Sequence, residues 1–347
     1  MSGDSTDATS VGSERESATE CNATECNATD VDANATDVAS DATDVDTDAT
    51  DVDADRTNVD TDATDVASDG RGAAESAKEA ADAGTPALYG TQLAIGYPST
   101  DSPVVETDRV DIPSGEITAL VGPNGSGKST LLKTLSAQLE PDAGTVLLEG
   151  TDVADYDSKE FAREVGLLSQ ENEAPGSLTV EELVYHGRYP HRGFFDAVSA
   201  EDDEAVDRAI ELTDIDDLRD KTVGDLSGGQ KQLAWIAMTL AQDTDVLLLD
   251  EPTTFLDLQH QLRVMNVVRT LNEEADTTVA VVLHDIAQAA RFADNLIALK
   301  DGEVYDWGPP RKVVTEGLLE DVFGVVASVD ADAADGPRIH PHRPVDE

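Results

Sequence analysis

The sequence predicts an α/β fold built on a mainly parallel sheet. From Leu88 on, short apolar runs of strand length alternate with longer runs of helical period. One Gly-rich turn joins an apolar run directly to a helical one. A third observation confines the fold to part of the chain. Residues 1–85 contain no Phe, Trp or Tyr and hold 23 acidic residues against four basic ones. Such a segment cannot bury enough apolar surface to offset its ordering entropy, so a disordered acidic tail is expected there. Its repeat unit is roughly Asp-Ala-Thr-Asp-Val. The repeat lacks the glycines that shape calcium-binding loops, so a solvated extension is the better reading. A folded domain is expected over 86–330, with a helical lobe at about 175–225, and a polar tail over 331–347.

The elements follow in order. LYGTQLAIGY alternates as a strand does. A polar turn is expected next, then EITALVG (116–122), a short apolar strand that ends at Gly122. KSTLLKTLSAQL reads as a helix, and TVLLEG and VGLLSQ read as strands. Residues 179–222 are helical in pattern and interrupt the strand–helix alternation, which makes them a lobe of their own. LSGGQKQLAWIAMTLAQ (helix), DVLLLDE (strand), QHQLRVMNVVRTLNEEA (helix), TVAVVLHD (strand) and IAQAARFAD (helix) resume it, and NLIALKDGEVYDWG closes it as a strand pair. Ligands of such sheets sit at the carboxyl ends of the strands.

The formal net charge is −50. A chain this acidic is a poor binder of nucleic acid or of bare anionic lipid, because both are polyanions. Beyond residue 85 there are only seven lysines, against twelve arginines. Acid excess with scarce lysine resembles proteins of salt-in haloarchaea, where high salt screens the self-repulsion. The two cysteines, Cys21 and Cys26, both lie in the acidic tail, so no disulfide framework is expected in the fold. No apolar run reaches 18 residues, and the first residues lack a basic and apolar leader pattern. Neither a membrane span nor a secretory leader is expected. The Asn-x-Ser/Thr tripeptides at Asn22, Asn27 and Asn34 then read as by-products of the repeat.

Three motifs carry chemistry. Gly122-Pro123-Asn124-Gly125-Ser126-Gly127-Lys128-Ser129-Thr130 fits the P-loop pattern in its strand-to-helix setting. Its glycines let backbone amides wrap phosphates, and the helix N-terminus adds positive potential. Lys128 suits the β- and γ-phosphates, and Ser129 suits Mg²⁺. Val246–Glu251 is an apolar strand that ends in two carboxylates. Asp250 is placed to hold Mg²⁺, and Glu251 to polarise a water. The third is Leu226-Ser227-Gly228-Gly229-Gln230, set just before a helix.

In this order the three motifs resemble the ATP-binding cassette (ABC) ATPases, over residues 88 to about 330. The resemblance implies an antiparallel β subdomain and an inserted helical subdomain around the P-loop core. It also implies ATP and Mg²⁺ as ligands. Tyr97 matches the aromatic that stacks on adenine. Gln170 matches the Q-loop glutamine, which meets Mg²⁺ or water and senses the γ-phosphate. Asp257 matches the D-loop aspartate, and His284 the switch histidine. The family works as a head-to-tail dimer in which Ser227, Gly228, Gly229 and Gln230 of one copy cover ATP on the P-loop of the other. Closure is then linked to ATP and opening to hydrolysis. With Glu251 present, a hydrolysing cassette is expected.

The chain carries one P-loop and no fused membrane spans, which leaves a soluble importer subunit as the leading class. Val184-Tyr185-His186-Gly187-Arg188-Tyr189-Pro190-His191-Arg192 resembles the helical-lobe segment of cassettes serving iron–siderophore, haem and cobalamin importers. The resemblance implies a permease dimer at the membrane's cytoplasmic face, docked by the lobe in a groove near Gln170. It also implies an extracellular substrate-binding protein, and no nucleic acid. Iron–siderophore is the leading substrate, with cobalamin and haem as alternatives. A soluble ABC ATPase with a regulatory or repair role is the reading from another class.

Overall fold

In the computed structural model the described residues are 86–345, apart from positions 101, 171, 194–195, 255 and 335. The acidic segment 1–85, with both cysteines, lies outside them. Strands β1 (Pro86–Ile95) and β2 (Val105–Pro113) come first, and β3 (Ile117–Val121) leads through the Gly-rich turn into helix α1 (Lys128–Leu135). Next are β4 (Ala143–Leu148), β5 (Thr151–Asp152), α2 (Ser158–Glu164) and β6 (Val165–Leu168). Helices α3 (Val180–His186) and α4 (Ala200–Thr213) form the lobe, with short 3₁₀ turns between and after them. Then follow α5 (Gly228–Leu240), β7 (Val246–Asp250), α6 (Leu258–Ala275), β8 (Thr278–Val282) and α7 (Ile286–Phe292). β9 (Asn295–Lys300), β10 (Glu303–Gly308), α8 (Pro310–Val313), α9 (Glu316–Asp321), β11 (Val325–Asp330) and β12 (Arg338–Pro344) complete the chain.

The expected α/β fold is found. A six-stranded sheet runs in the order β10-β9-β3-β8-β7-β6. All its neighbours pair in parallel except β10 with β9. Every residue of β3, β7 and β8 is buried, as expected of parallel strands covered on both faces. Their side chains alternate between two cores. Ala119, Leu249 and Val281 face the lobe and α5. Leu120, Leu248 and Val282 face α1 and the second sheet. That second sheet is antiparallel, in the order β2-β1-β4-β5.

Two stretches depart from the sequence reading. Residues expected as a polar turn before β3 instead form β2, in continuous register with β1 from Leu88↔Ile112 to Ile95↔Val105. Only Val105, Val110 and Ile112 of β2 are buried, so the run is too polar to read as a strand alone. Its partner strand supplies the backbone hydrogen bonds that composition could not announce. The expected polar tail from 331 is the second case. Arg338–Pro344 pairs antiparallel with β11, although almost all its side chains are exposed. No helix among the described residues is long and apolar enough to cross a membrane.

Candidate functional site: the carboxyl edge of the parallel sheet

Four parallel strands end side by side, and each delivers a chemically distinct group. β3 leads into the Gly122–Gly127 turn, β6 into Gln170, β7 into Asp250 and Glu251, and β8 into His284. The turn requires its glycines. Gly127 has φ +97°, and a Cβ there would lie 2.3 Å from the Val105 side chain. Gly122 has φ +147°, and a Cβ would lie 2.2 Å from the Leu299 carbonyl oxygen. Only glycine fits both the dihedrals and the space.

Lys128 is 5% exposed, and its ammonium donates to the carbonyls of Gly122 (3.0 Å) and Pro123 (2.9 Å). Burial lowers its pKa, against the opposing pull of Glu251 and Asp250. The hydroxyl of Ser126 is buried with no hydrogen-bond partner among the described residues. An orphaned buried hydroxyl in a glycine-rich turn that opens a helix suits a polyanionic ligand. Ser129 Oγ donates to Asp250 Oδ1 at 2.9 Å. Burial raises the Asp250 pKa, and Glu251 adds to that, while the Ser129 hydroxyl opposes it.

Glu251 sits at φ +53° with its side chain only 9% exposed. A buried carboxylate needs donors, and three side chains reach it. Gln170 Nε2 donates to Oε2 at 2.9 Å, Thr254 Oγ1 donates to Oε2 at 3.1 Å, and His284 Nε2 approaches Oε1 at 2.6 Å. The sequence reading placed Gln170 and His284 here. It missed Thr254, which lies between Glu251 and Asp257 and carried no expected role.

The remaining candidates lie around this cluster. Tyr97, half-buried, has its hydroxyl 3.3 Å from Thr130 Oγ1. Asp257 caps α6, accepting from the His260 amide at 3.0 Å and meeting His260 Nδ1 at 2.8 Å, which holds its pKa below the usual range. Ser227 and Gln230 bond each other at the start of α5. The Gln230 amide donates to Ser227 Oγ at 3.3 Å, and the Ser227 amide to Gln230 Oε1 at 3.1 Å. This capping box, with Gly228 and Gly229 in the first turn, keeps the helix N-terminus ordered.

The Arg/His run at 184–192 covers the end of α3 and the 3₁₀ turn that follows it. Arg188 and His191 turn their side chains toward the carboxyl end of α5. Arg188 is 6% exposed, donating to Asp202 Oδ1 (3.0 Å) and to the Ala241 carbonyl (2.8 Å) at the end of α5. His191 Nε2 lies 2.6 Å from the Gln242 carbonyl. Tyr189 faces outward and is 58% exposed. The Asp202 carboxyl is pushed up by burial. The Ser199 amide, the Arg188 guanidinium and the Ser199 hydroxyl outweigh that and hold it below its usual value.

The chain is similar to known proteins over most of its described length. A family profile described as "ABC transporter" matches residues 105–254. The chain is 48% identical to the ferric enterobactin transport ATP-binding protein FepC of Escherichia coli, over 72% of this chain and 91% of that one. It is 45% identical to the probable siderophore transport system ATP-binding protein YusV of Bacillus subtilis, over 75% of this chain and 94% of that one. The dimeric structure of MJ0796, a bacterial ABC transporter cassette, superposes with TM-score 0.58 at 29% identity, over 64% of this chain and 98% of that one.

Proposed function

Because the chain belongs to the ABC transporter ATP-binding family, we propose that it is the ATP-hydrolysing subunit of an importer of iron(III)–siderophore complexes. The observation that carries the chemistry is the convergence of Lys128, Ser129, Gln170, Asp250, Glu251 and His284 on one sheet edge. Identity to FepC and YusV supports the siderophore class. Cobalamin and haem remain the alternatives within the same mechanism.

The P-loop amides and Lys128 bind the phosphates of ATP, and Tyr97 takes the adenine. Ser129, Asp250 and Gln170 offer a hydroxyl, a carboxylate and an amide oxygen, the hard donors that suit Mg²⁺. With its Nε2 bonded to Glu251, Gln170 keeps Oε1 for a cation. Bound there, Mg²⁺ supplies neutralisation of phosphate charge. Glu251 accepts the proton of the attacking water, and His284 holds the carboxylate and faces the γ-phosphate.

Hydrolysis needs a second copy. Ser227, Gly228, Gly229 and Gln230 head a helix whose amides add positive potential, and they cover ATP on the partner's P-loop with Asp257 alongside. The likeness to a dimeric cassette supports this pairing. The dimer works on a permease dimer at the cytoplasmic face of the membrane, fed by an extracellular substrate-binding protein. The acid excess and scarce lysine support a haloarchaeal, salt-in setting for it. Turnover of ATP by the purified chain in molar KCl tests the chemistry. Glu251→Gln is expected to keep ATP binding and lose turnover by about 10²-fold or more, the range of a removed general base. Undiminished turnover would refute Glu251 as the base.

A further inference from the structure

We propose that Thr254 is a positioning residue for the Glu251 carboxylate, fixing the rotation at which it meets water. The inference rests on the reading of Glu251 as the base. Thr254 Oγ1 donates to Glu251 Oε2 at 3.1 Å, the same oxygen that accepts from Gln170 Nε2 at 2.9 Å. His284 Nε2 lies at the other oxygen, 2.6 Å away. Two donors on one oxygen and one on the other define the plane of the carboxylate.

The hydroxyl is itself held in place. Glu251 is at φ +53°, a conformation a non-glycine residue keeps only when its surroundings impose it. The Thr254 amide donates to the Glu251 carbonyl at 3.2 Å and closes that turn. Three helices brace the turn from outside. From α5, Gln232 Nε2 donates to the Pro252 carbonyl at 3.2 Å. From α6, Gln261 Nε2 donates to the Leu256 carbonyl at 3.1 Å. At α7, the helix that follows His284, Thr253 Oγ1 donates to Gln288 Oε1 at 3.3 Å. The Thr254 hydroxyl is therefore aimed before ATP arrives, as an effective positioning group must be.

Thr254 differs from Gln170 in what it can respond to. Gln170 follows the end of β6, a different strand end from the one that carries Thr254. Thr254 lies in the turn that runs directly into Asp257 and α6, the segment assigned above to the partner's nucleotide. A shift of that turn moves the hydroxyl and with it the carboxylate. Losing a donor also makes the carboxylate more basic, which favours proton transfer. A base displaced by an ångström loses more, about ten- to a hundredfold in rate.

The test compares Thr254→Val and Thr254→Ser in the full-length chain by steady-state and single-turnover ATP hydrolysis. Thr254→Val is expected to lower kcat about tenfold or more with KM for ATP within about twofold, and Thr254→Ser to restore it. In the Glu251→Gln background, Thr254→Val should cost nothing further, because the hydroxyl acts only through that carboxylate. Should Thr254→Val lose its folded circular dichroism, Thr254→Ala removes the hydroxyl without adding a methyl and is read the same way. An unchanged kcat, a loss carried by KM, or an undiminished effect in the Glu251→Gln background overturns the proposal. Full turnover by Glu251→Gln alone is a different outcome and overturns the reading of Glu251 instead.

Discussion

Replacing Arg188 by Leu is predicted to destabilise the fold as only a broken buried ion pair does. The side chains of Arg188 and Asp202 are 7% and 4% exposed, with Nε and Oδ1 3.0 Å apart. The guanidinium also satisfies the Ala241 carbonyl at the negative end of α5. Arg188→Leu leaves a buried carboxylate without its cation and a helix-end carbonyl without its donor. Breaking such a pair costs about 3–5 kcal/mol. Asp202 keeps the Ser199 amide and hydroxyl on Oδ2, at 2.9 and 3.0 Å, which argues for the lower end, about 3 kcal/mol. For a domain of this size that is a fall in Tm of about 6–12 °C. The assay is urea unfolding followed by circular dichroism in molar KCl, since urea leaves ionic strength fixed. Arg109→Leu is the control. Its pair with Asp111 has an arginine 53% exposed, so its loss should cost about 0–1 kcal/mol. The double variant Arg188→Leu/Asp202→Leu should be less destabilised than the two single losses summed, because no charge is stranded. If Arg188→Leu costs no more than Arg109→Leu, the pair is not a strut and the reasoning fails.

Other outcomes follow from the same structure. Lys128→Ala should abolish ATP binding, measured by nucleotide retention on a filter, while leaving the unfolding midpoint close to the parent's, since its partners are P-loop carbonyls. The depressed Asp202 carboxyl contributes stability that is complete above its unfolded value near 3.8 and is lost as pH falls through the lower folded value. Asp202→Asn should therefore flatten the fall in urea midpoint between about pH 5 and about pH 3; an equally steep fall would place the acid sensitivity elsewhere. Hydrolysis should weaken on dialysis from molar KCl to about 0.1 M salt, because the Debye length lengthens to about 10 Å and the acidic surface repels itself. Full activity at low salt would argue against a salt-in setting.

What could be read from the sequence was local. The P-loop, the Asp250-Glu251 strand end and the Ser227–Gln230 cap each depend on residues within one turn, so their spacing carried them. Gln170 and His284 needed the resemblance, since a lone polar residue at a strand end has many uses. What stayed hidden depends on pairing across long stretches of chain. β2 is a strand because β1 lies beside it, not because VETDRVDIP demands one. β12 is mostly exposed, and β11 imposes its extended form. Arg188 looks like a surface cation until Asp202 and Ala241 fold against it. Thr254 reads as filler between Glu251 and Asp257, and only the left-handed turn at Glu251 brings its hydroxyl back onto the carboxylate.

The most direct measurement is uptake of labelled ferric siderophore and labelled cobalamin by cells lacking this gene, restored with the parent chain or with Glu251→Gln. The account predicts that ferric siderophore uptake is lost while cobalamin uptake persists. The parent chain then restores it and Glu251→Gln does not. Retained ferric siderophore uptake, or rescue by Glu251→Gln, would contradict it.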